Sequence, residues 1–193
     1  INMRCMMCER FSLSHICSHS QESLLTPTLH KRKILGSIPV YSFYPYNEIE
    51  PLLLTKHTDL GYYIYTILAK RSLGAFAREW QYENTVASVG IDDRSESGYS
   101  HTAVLNRALK SDTIIPQYGK LRASQHYKYA GKSVEERLMN PRQFMYIPFS
   151  EKEVILVDDI VTTGTTLSEA AEVLHTQGKK VILCLTLSDA ENR

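Results

Sequence analysis

The clearest pattern in the 193-residue chain lies in its last third. Val154-Ile155-Leu156-Val157 is an unbroken apolar run, the signature of a parallel strand covered on both faces. From Thr165 to Gln177, Leu167, Ala170, Ala171 and Leu174 recur at helical spacing, and Gly178 supplies a stop. Val181 to Leu185 is a second buried run. A strand, helix and strand of this length predict a parallel, right-handed crossover, hence an α/β class. Upstream, Val40–Tyr44 reads as a strand, and Pro51–Leu73 as a helix in two pieces broken near Gly61. Thr85–Val89 is a further strand and Asp92–Gly98 a polar loop. Thr102–Leu109 has helical spacing, Thr113–Pro116 is a short strand ended by its proline, and Phe144–Ile147 is another strand. Residues 1–20 are rich in Cys, His and Ser and too polar to build a core alone. The polar stretch Gln21–Lys33 reads as a linker. Two units are therefore expected, a small module with linker over 1–33 and a main domain over 34–193.

Composition adds little to this division: 43% apolar and 22% charged residues describe an ordinary globular chain. No apolar run approaches the ~18 residues of a membrane span. No long apolar segment follows a basic start, so neither a signal peptide nor a membrane span is expected and a cytoplasmic setting is. The net charge of +1 hides an uneven distribution. Between Arg107 and Arg142 eight Lys or Arg stand against three acids, an excess of five positive charges. Such a patch attracts phosphates, and on charge alone a solvated lysine-rich loop reads equally well.

Three of the four cysteines fall in the first 17 residues, which is no disulfide framework and points to metal or redox chemistry. Cys5-x2-Cys8 presents two thiolates to one ion, and Cys17 follows. A tetrahedral structural zinc site needs one more ligand. His19 is the preferred fourth, because the second pair then runs forward from Cys17, with His15 as the alternative. A redox-active CxxC lacks the βαβ setting that such a motif requires. Cys184, inside an apolar run, reads as an inert core thiol.

The segment following Val157 carries the most informative chemistry. Ligands of α/β sheets bind at the carboxyl ends of strands. There Asp158 and Asp159 are placed to accept hydrogen bonds from vicinal sugar hydroxyls. Val161 then leads into Thr162-Thr163-Gly164-Thr165-Thr166, whose glycine lets amides turn inward and whose threonines add hydroxyls around an anion. The helix that opens there adds free N–H groups and its positive dipole end. A Walker B strand would need an upstream P-loop, and Ala130-Gly131-Lys132-Ser133 lacks its first glycine, which falls on His126.

Residues 154–167, VILVDDIVTTGTTL, resemble the PRPP-binding signature of type I phosphoribosyltransferases. That resemblance implies a type I phosphoribosyltransferase-like parallel sheet flanked by helices. It also implies Asp158 and Asp159 as ribose ligands, Thr162–Thr166 as the 5-phosphate cradle, and PRPP with Mg²⁺ as the ligand. Together with the cysteine knuckle, the chain resembles the competence protein F (ComF) family. Val40-Tyr41 to Pro45-Tyr46, Ile49 and Lys56 are similar to that family's tyrosine-rich strand and lysine-containing helix. Gly98-Tyr99-Ser100-His101 with Leu105 and Ala108-Leu109 look like its Gly-Phe-Asn-Gln helix start. Lys120-Leu121-Arg122 with Gln125, then Arg137, Asn140 and Phe144, follow its basic segment. Ser88-Val89-Gly90 departs from the family's Pro-Val-Pro turn, Ser97 from its arginine, and Ser100-His101 from its Asn-Gln.

The ComF resemblance implies cytoplasmic handling of single-stranded DNA in natural transformation, with other competence proteins as further partners. A basic track with aromatic platforms suits that task. Lys120, Arg122, Tyr127, Lys128, Lys132 and Arg142 are its candidate contacts, beside the reading of these tyrosines as loop anchors. The alternative activity is phosphoribosyl transfer from PRPP with Mg²⁺ to an unidentified acceptor.

Overall fold

The computed structural model describes residues 3–91, 99–123 and 144–191. Five parallel strands form its centre: β2 (Ile38–Pro45), β3 (Val86–Gly90), β4 (Ile114–Gln117), β7 (Glu153–Val161) and β8 (Lys180–Asp189). They lie in the order β2-β8-β7-β3-β4, and β1 (His30–Ile34) pairs antiparallel with β2 at one edge. A separate antiparallel pair joins β5 (Leu121–Ala123) to β6 (Phe144–Tyr146). The expected class, α/β with a mostly parallel sheet, is the one observed.

The alternation of side chains along the central strands builds two cores. Ile155, Val157, Leu183 and Leu185 face one side, where they pack with residues of α2 (Tyr46–Leu53), α3 (Asp59–Arg71), α4 (Leu73–Glu79) and α5 (His101–Ala108). Val154, Leu156 and Cys184 face the other, with Leu167, Ala170, Ala171 and Leu174 of α6 (Thr165–Thr176). The apolar run of β7 is thus covered on both faces, as its composition predicts.

Four expectations change in detail. The polar stretch expected as a linker contains β1, so the boundary between residues 33 and 34 falls inside a strand. The helical region breaks earlier than Gly61: α2 gives way to a 3₁₀ turn, Leu54–His57, and α3 starts at Asp59. Gly61 instead allows close packing, since a Cβ there would stand 2.2 Å from the Thr55 carbonyl oxygen and 2.3 Å from the Tyr99 hydroxyl. Pro116 lies within β4 rather than ending it, which an edge strand tolerates. Finally, β7 does not stop at Val157 but runs on through both acids to Val161, paired with β8.

The N-terminal segment shares the main core. Cys5, Ile16 and Leu25 are buried in the same cluster as Phe43, Tyr65 and Leu68. A short helix, α1 (Ser18–Leu24), closes this module.

Candidate functional site

The strand order reverses direction between β3 and β7. From β3 the chain moves outward to β4, and from β7 it moves the other way to β8. A crevice opens at the carboxyl ends of two such strands, and ligands of open α/β sheets bind there. β3 ends at Gly90, level with Val157 of β7. Asp158 and everything after it therefore stand beyond the end of β3, beside that crevice.

The two acids have different surroundings, because successive residues of a strand point to opposite faces. Asp159 shares its side with Ile155 and Val157 and is only 4% exposed. Its Oδ2 accepts hydrogen bonds from Lys56 Nζ at 2.9 Å and from the Tyr65 hydroxyl at 3.1 Å, and His101 Nε2 lies 3.6 Å away. Burial opposes ionisation, but the Lys56 charge, then His101 and the two hydrogen bonds outweigh it. The carboxyl is held well below the usual carboxylate range. Burial and the neighbouring Asp159 push the Tyr65 phenol far upward, so it remains a donor. Asp158, half-buried, lies on the α6 side, and its Oδ1 accepts from the Asp159 amide at 2.8 Å. The acids are thus not a matched pair at a loose strand end: Asp159 is committed to Lys56, and Asp158 borders the loop.

The 3₁₀ turn places Lys56 for this pairing. Tyr99 donates its hydroxyl to the Lys56 carbonyl at 2.7 Å, and the Thr58 hydroxyl caps α3 by accepting from the Gly61 amide at 3.3 Å. His101 opens α5, capped by Ser100, whose hydroxyl accepts from the Ala103 amide at 3.1 Å.

Gly164 is the N-cap residue of α6 and sits at φ +81, in the left-handed region open to glycine. Gly164 itself offers no side-chain cap, and the Thr165 amide donates to Thr163 Oγ1 at 3.4 Å. The Thr163 and Thr165 hydroxyls lie 2.8 Å apart. First-turn amides, hydroxyls and a positive helix end thus meet at one point, an arrangement suited to an anion. Arg32 of β1 braces it from behind. Its guanidinium donates to the Thr162 carbonyl and to Glu191 Oε2 at 2.8 Å, and its Nε lies 3.4 Å from the buried Asp189 carboxylate. Sequence reasoning missed Arg32, because nothing local marks a polar stretch as a strand beside a loop 130 residues away.

The cysteine cluster is assembled. Sulfur atoms of Cys5, Cys8 and Cys17 all lie within 4.8 Å of one another, with Cys8 and Cys17 at 3.6 Å. The Cys17 amide donates to Cys5 Sγ and the Ser20 amide to Cys17 Sγ, both at 3.4 Å. Burial raises the Cys5 thiol, but the Ser20 hydroxyl and the amides of Cys17, Cys8 and Met7 bring it down to about 6. This donor set fits three corners of a thiolate metal centre. His19 is exposed on α1 and His15 lies tilted against Tyr63, ring centroids 5.1 Å apart; neither joins the cluster. The buried Ser20 hydroxyl stands there instead, 3.4 Å from Cys5 Sγ and 3.3 Å from Cys17 Sγ. Cys184 is buried, and burial followed by Asp158 pushes its thiol strongly upward, as suits a core position.

Of the candidate nucleic-acid contacts, Lys120 donates to the Pro148 carbonyl at 3.0 Å, and Arg122 lies in β5 against Gly119. Tyr127, Lys128, Lys132 and Arg142 lie outside the described residues, as does the Asp92–Gly98 loop.

Comparison with known proteins bears on the C-terminal part of the sheet and the loop. The family described as "Phosphoribosyl transferase domain" matches residues 118–193, which include β7, the loop and α6. Competence protein F of Haemophilus influenzae is 30% identical over 92 residues, 44% of this chain and 40% of that protein. Over residues 118–193 the chain is therefore similar to a phosphoribosyl transferase domain, and over part of its length to competence protein F. The chain is also 40% identical over 42 residues, 22% of each chain, to the orotate phosphoribosyltransferase of Sulfurisphaera tokodaii. The matches span less than half the length of these curated relatives. Among solved structures, a hypoxanthine phosphoribosyltransferase from Staphylococcus aureus aligns at 18% identity and a TM-score of 0.42. That alignment covers 67% of this chain and 65% of that one.

Proposed function

We propose that the chain binds a ribose 5-phosphate group, as in PRPP, on the Thr162–Thr166 loop and handles single-stranded DNA in the cytoplasm during natural transformation. The observation that carries the sugar-phosphate reading is the left-handed Gly164 at the start of the 12-residue helix α6, beside the topological switch point. The phosphate would take the loop amides and the Thr163 and Thr165 hydroxyls, and Asp158 is the carboxylate on hand for ribose hydroxyls. Mg²⁺ fits as an ion that arrives with a phosphate ligand and keeps most of its waters, since Asp159 is already held by Lys56. The transformation reading is supported by the likeness to competence protein F, and other competence proteins are its natural partners.

Calorimetry with ribose 5-phosphate and with ribose tests the loop. The phosphate ester should bind and ribose should give no heat; equal behaviour of the two would contradict a phosphate cradle. A second reading, phosphoribosyl transfer from PRPP, is favoured by Lys56 and His101 gathered at Asp159. Pyrophosphate release across the common nucleobases tests it, and no release with any acceptor counts against it.

For the knuckle we propose a structural Zn²⁺ on Cys5, Cys8 and Cys17, the ion that several thiolates favour. Of the two candidates for the fourth corner, Ser20 is supported by its contacts with two sulfurs, and His19 is not. Ser20→Cys should therefore tighten Zn²⁺ binding in a chelator competition, and His19→Ala should leave it unchanged. Loss of zinc from the His19→Ala protein would restore that histidine as the ligand.

A further inference from the structure

On the helical face, between α3, α4 and α5, lies a groove of about 540 Å³ that no part of the sugar-phosphate site uses. Lys70, Arg78, Arg107 and Lys110 line it, and no acidic side chain does. All four cations are exposed, and among the described residues none forms an ion pair. The floor is made of small residues. Gly74 is buried there, and the Arg78 guanidinium passes 3.7 Å from where a Gly74 Cβ would sit. Four cations around one groove repel each other, a local cost that an anionic ligand relieves.

One end of the groove is aromatic. Tyr62 lines it and is 42% exposed, with Tyr63 beside it at 54%. These rings belong to a continuous ladder: His15 to Tyr63 at 5.1 Å, Tyr63 to Tyr62 at 5.5 Å, and Tyr62 to Tyr99 at 5.9 Å. The ladder starts on the cysteine module and ends at the tyrosine that holds the Lys56 carbonyl. The exposed rings of Tyr62 and Tyr63 stand where a chain leaving the cationic groove would pass.

We infer that this groove and ladder form the track for a single-stranded nucleic acid, with phosphates over Lys70, Arg78, Arg107 and Lys110 and bases on Tyr62 and Tyr63. The inference rests on the single-strand reading proposed above and moves its site from the 118–146 segment to the α3–α4–α5 face. A cationic groove with an aromatic edge is what sequence-independent single-strand binding requires. A duplex satisfies the charges but hides its base faces, so the track should prefer unpaired strands.

Fluorescence anisotropy with a labelled oligothymidylate, between about 50 and 200 mM salt, tests this. Replacing Lys70, Arg78, Arg107 and Lys110 together by Ala should weaken binding tenfold or more. It should also flatten the plot of log affinity against log salt, by about 0.7 for each phosphate contact removed. Arg78→Lys with Arg107→Lys keeps the charge and should retain most of the affinity. Tyr62→Ala should cost about fivefold or more with the salt slope unchanged, as loss of a stacked base does. If the wild type binds and the quadruple variant binds equally with the same slope, the track lies elsewhere and the groove assignment is overturned. If a duplex of equal length binds as tightly as the single strand, base stacking on the tyrosines is overturned. If the wild-type chain fails to bind any oligonucleotide at the lowest salt, the single-strand reading falls, and this inference with it.

Discussion

Lys56→Met should be among the most destabilising single substitutions in the protein, lowering stability by about 3 kcal/mol and the melting temperature by roughly 6–12 °C. The methionine keeps the aliphatic stem, so the loss is electrostatic. Asp159 is 4% exposed and would be left buried without its lysine, keeping the hydrogen bonds from Tyr65 and the Ile160 amide and His101 nearby. Removing one partner of a buried pair leaves the other charge uncompensated, and that is what makes such a change costly. The pH dependence fixes the sign. In the wild type the folded carboxyl lies below its ordinary 3.8. Its contribution is therefore complete above that value and lost as pH falls through the depressed one. In the variant the balance reverses, because burial, the largest influence on this group, now prevails and raises the carboxyl. The variant then gains stability as acid protonates Asp159, and the difference from wild type should narrow from neutral pH downward. Thermal melts at a series of pH values check this. A gap that widened in acid would contradict the buried ion pair.

Gly164→Ala should have the next largest effect, and it joins stability to binding. At φ +81 an L side chain costs about 1–2 kcal/mol. The added Cβ would also stand 2.8 Å from Ile34 Cγ2 and 3.3 Å from Arg32 Nη2. β1 lies behind the loop and cannot retreat without breaking its pairing with β2. The loop must therefore move, carrying Thr163, Thr165 and the first amides of α6 away from a common centre. A melting temperature lowered by several degrees and ribose 5-phosphate affinity reduced tenfold or more are expected. Unchanged affinity in a folded variant would mean that the cradle is not the ligand site.

The sequence made the C-terminal third legible because every local rule there agrees. The apolar run of β7, the helical spacing of α6 and the stop at Gly178, observed at φ +72, all point one way. Where reading failed, the deciding interactions were distant. β1 exposes or half-exposes four of its five residues and buries only Ile34, so its period-2 pattern has no apolar contrast to reveal it. Arg32 gains its role from a loop far away in the chain, and Lys56 from a strand 103 residues on. Asp158 and Asp159 are adjacent in sequence and were read together, yet the pleat sends them to opposite faces with different partners. The knuckle shows the same limit: spacing identified three cysteines, but only the turn of α1 brings Ser20 rather than His19 to their sulfurs. The cationic groove draws one residue from α3, one from α4 and two from α5 and its exit, and no window of sequence shows them as a cluster.

The central claim is that the Thr162–Thr166 loop holds a sugar phosphate. Amide chemical shifts of the wild-type protein, followed while ribose 5-phosphate is added, test it most directly, because they report where the ligand sits. Saturable changes concentrated at Thr163, Gly164, Thr165, Thr166 and Asp158 are expected. Changes confined to Lys70, Arg78, Arg107 and Lys110, or no changes at all, would contradict it.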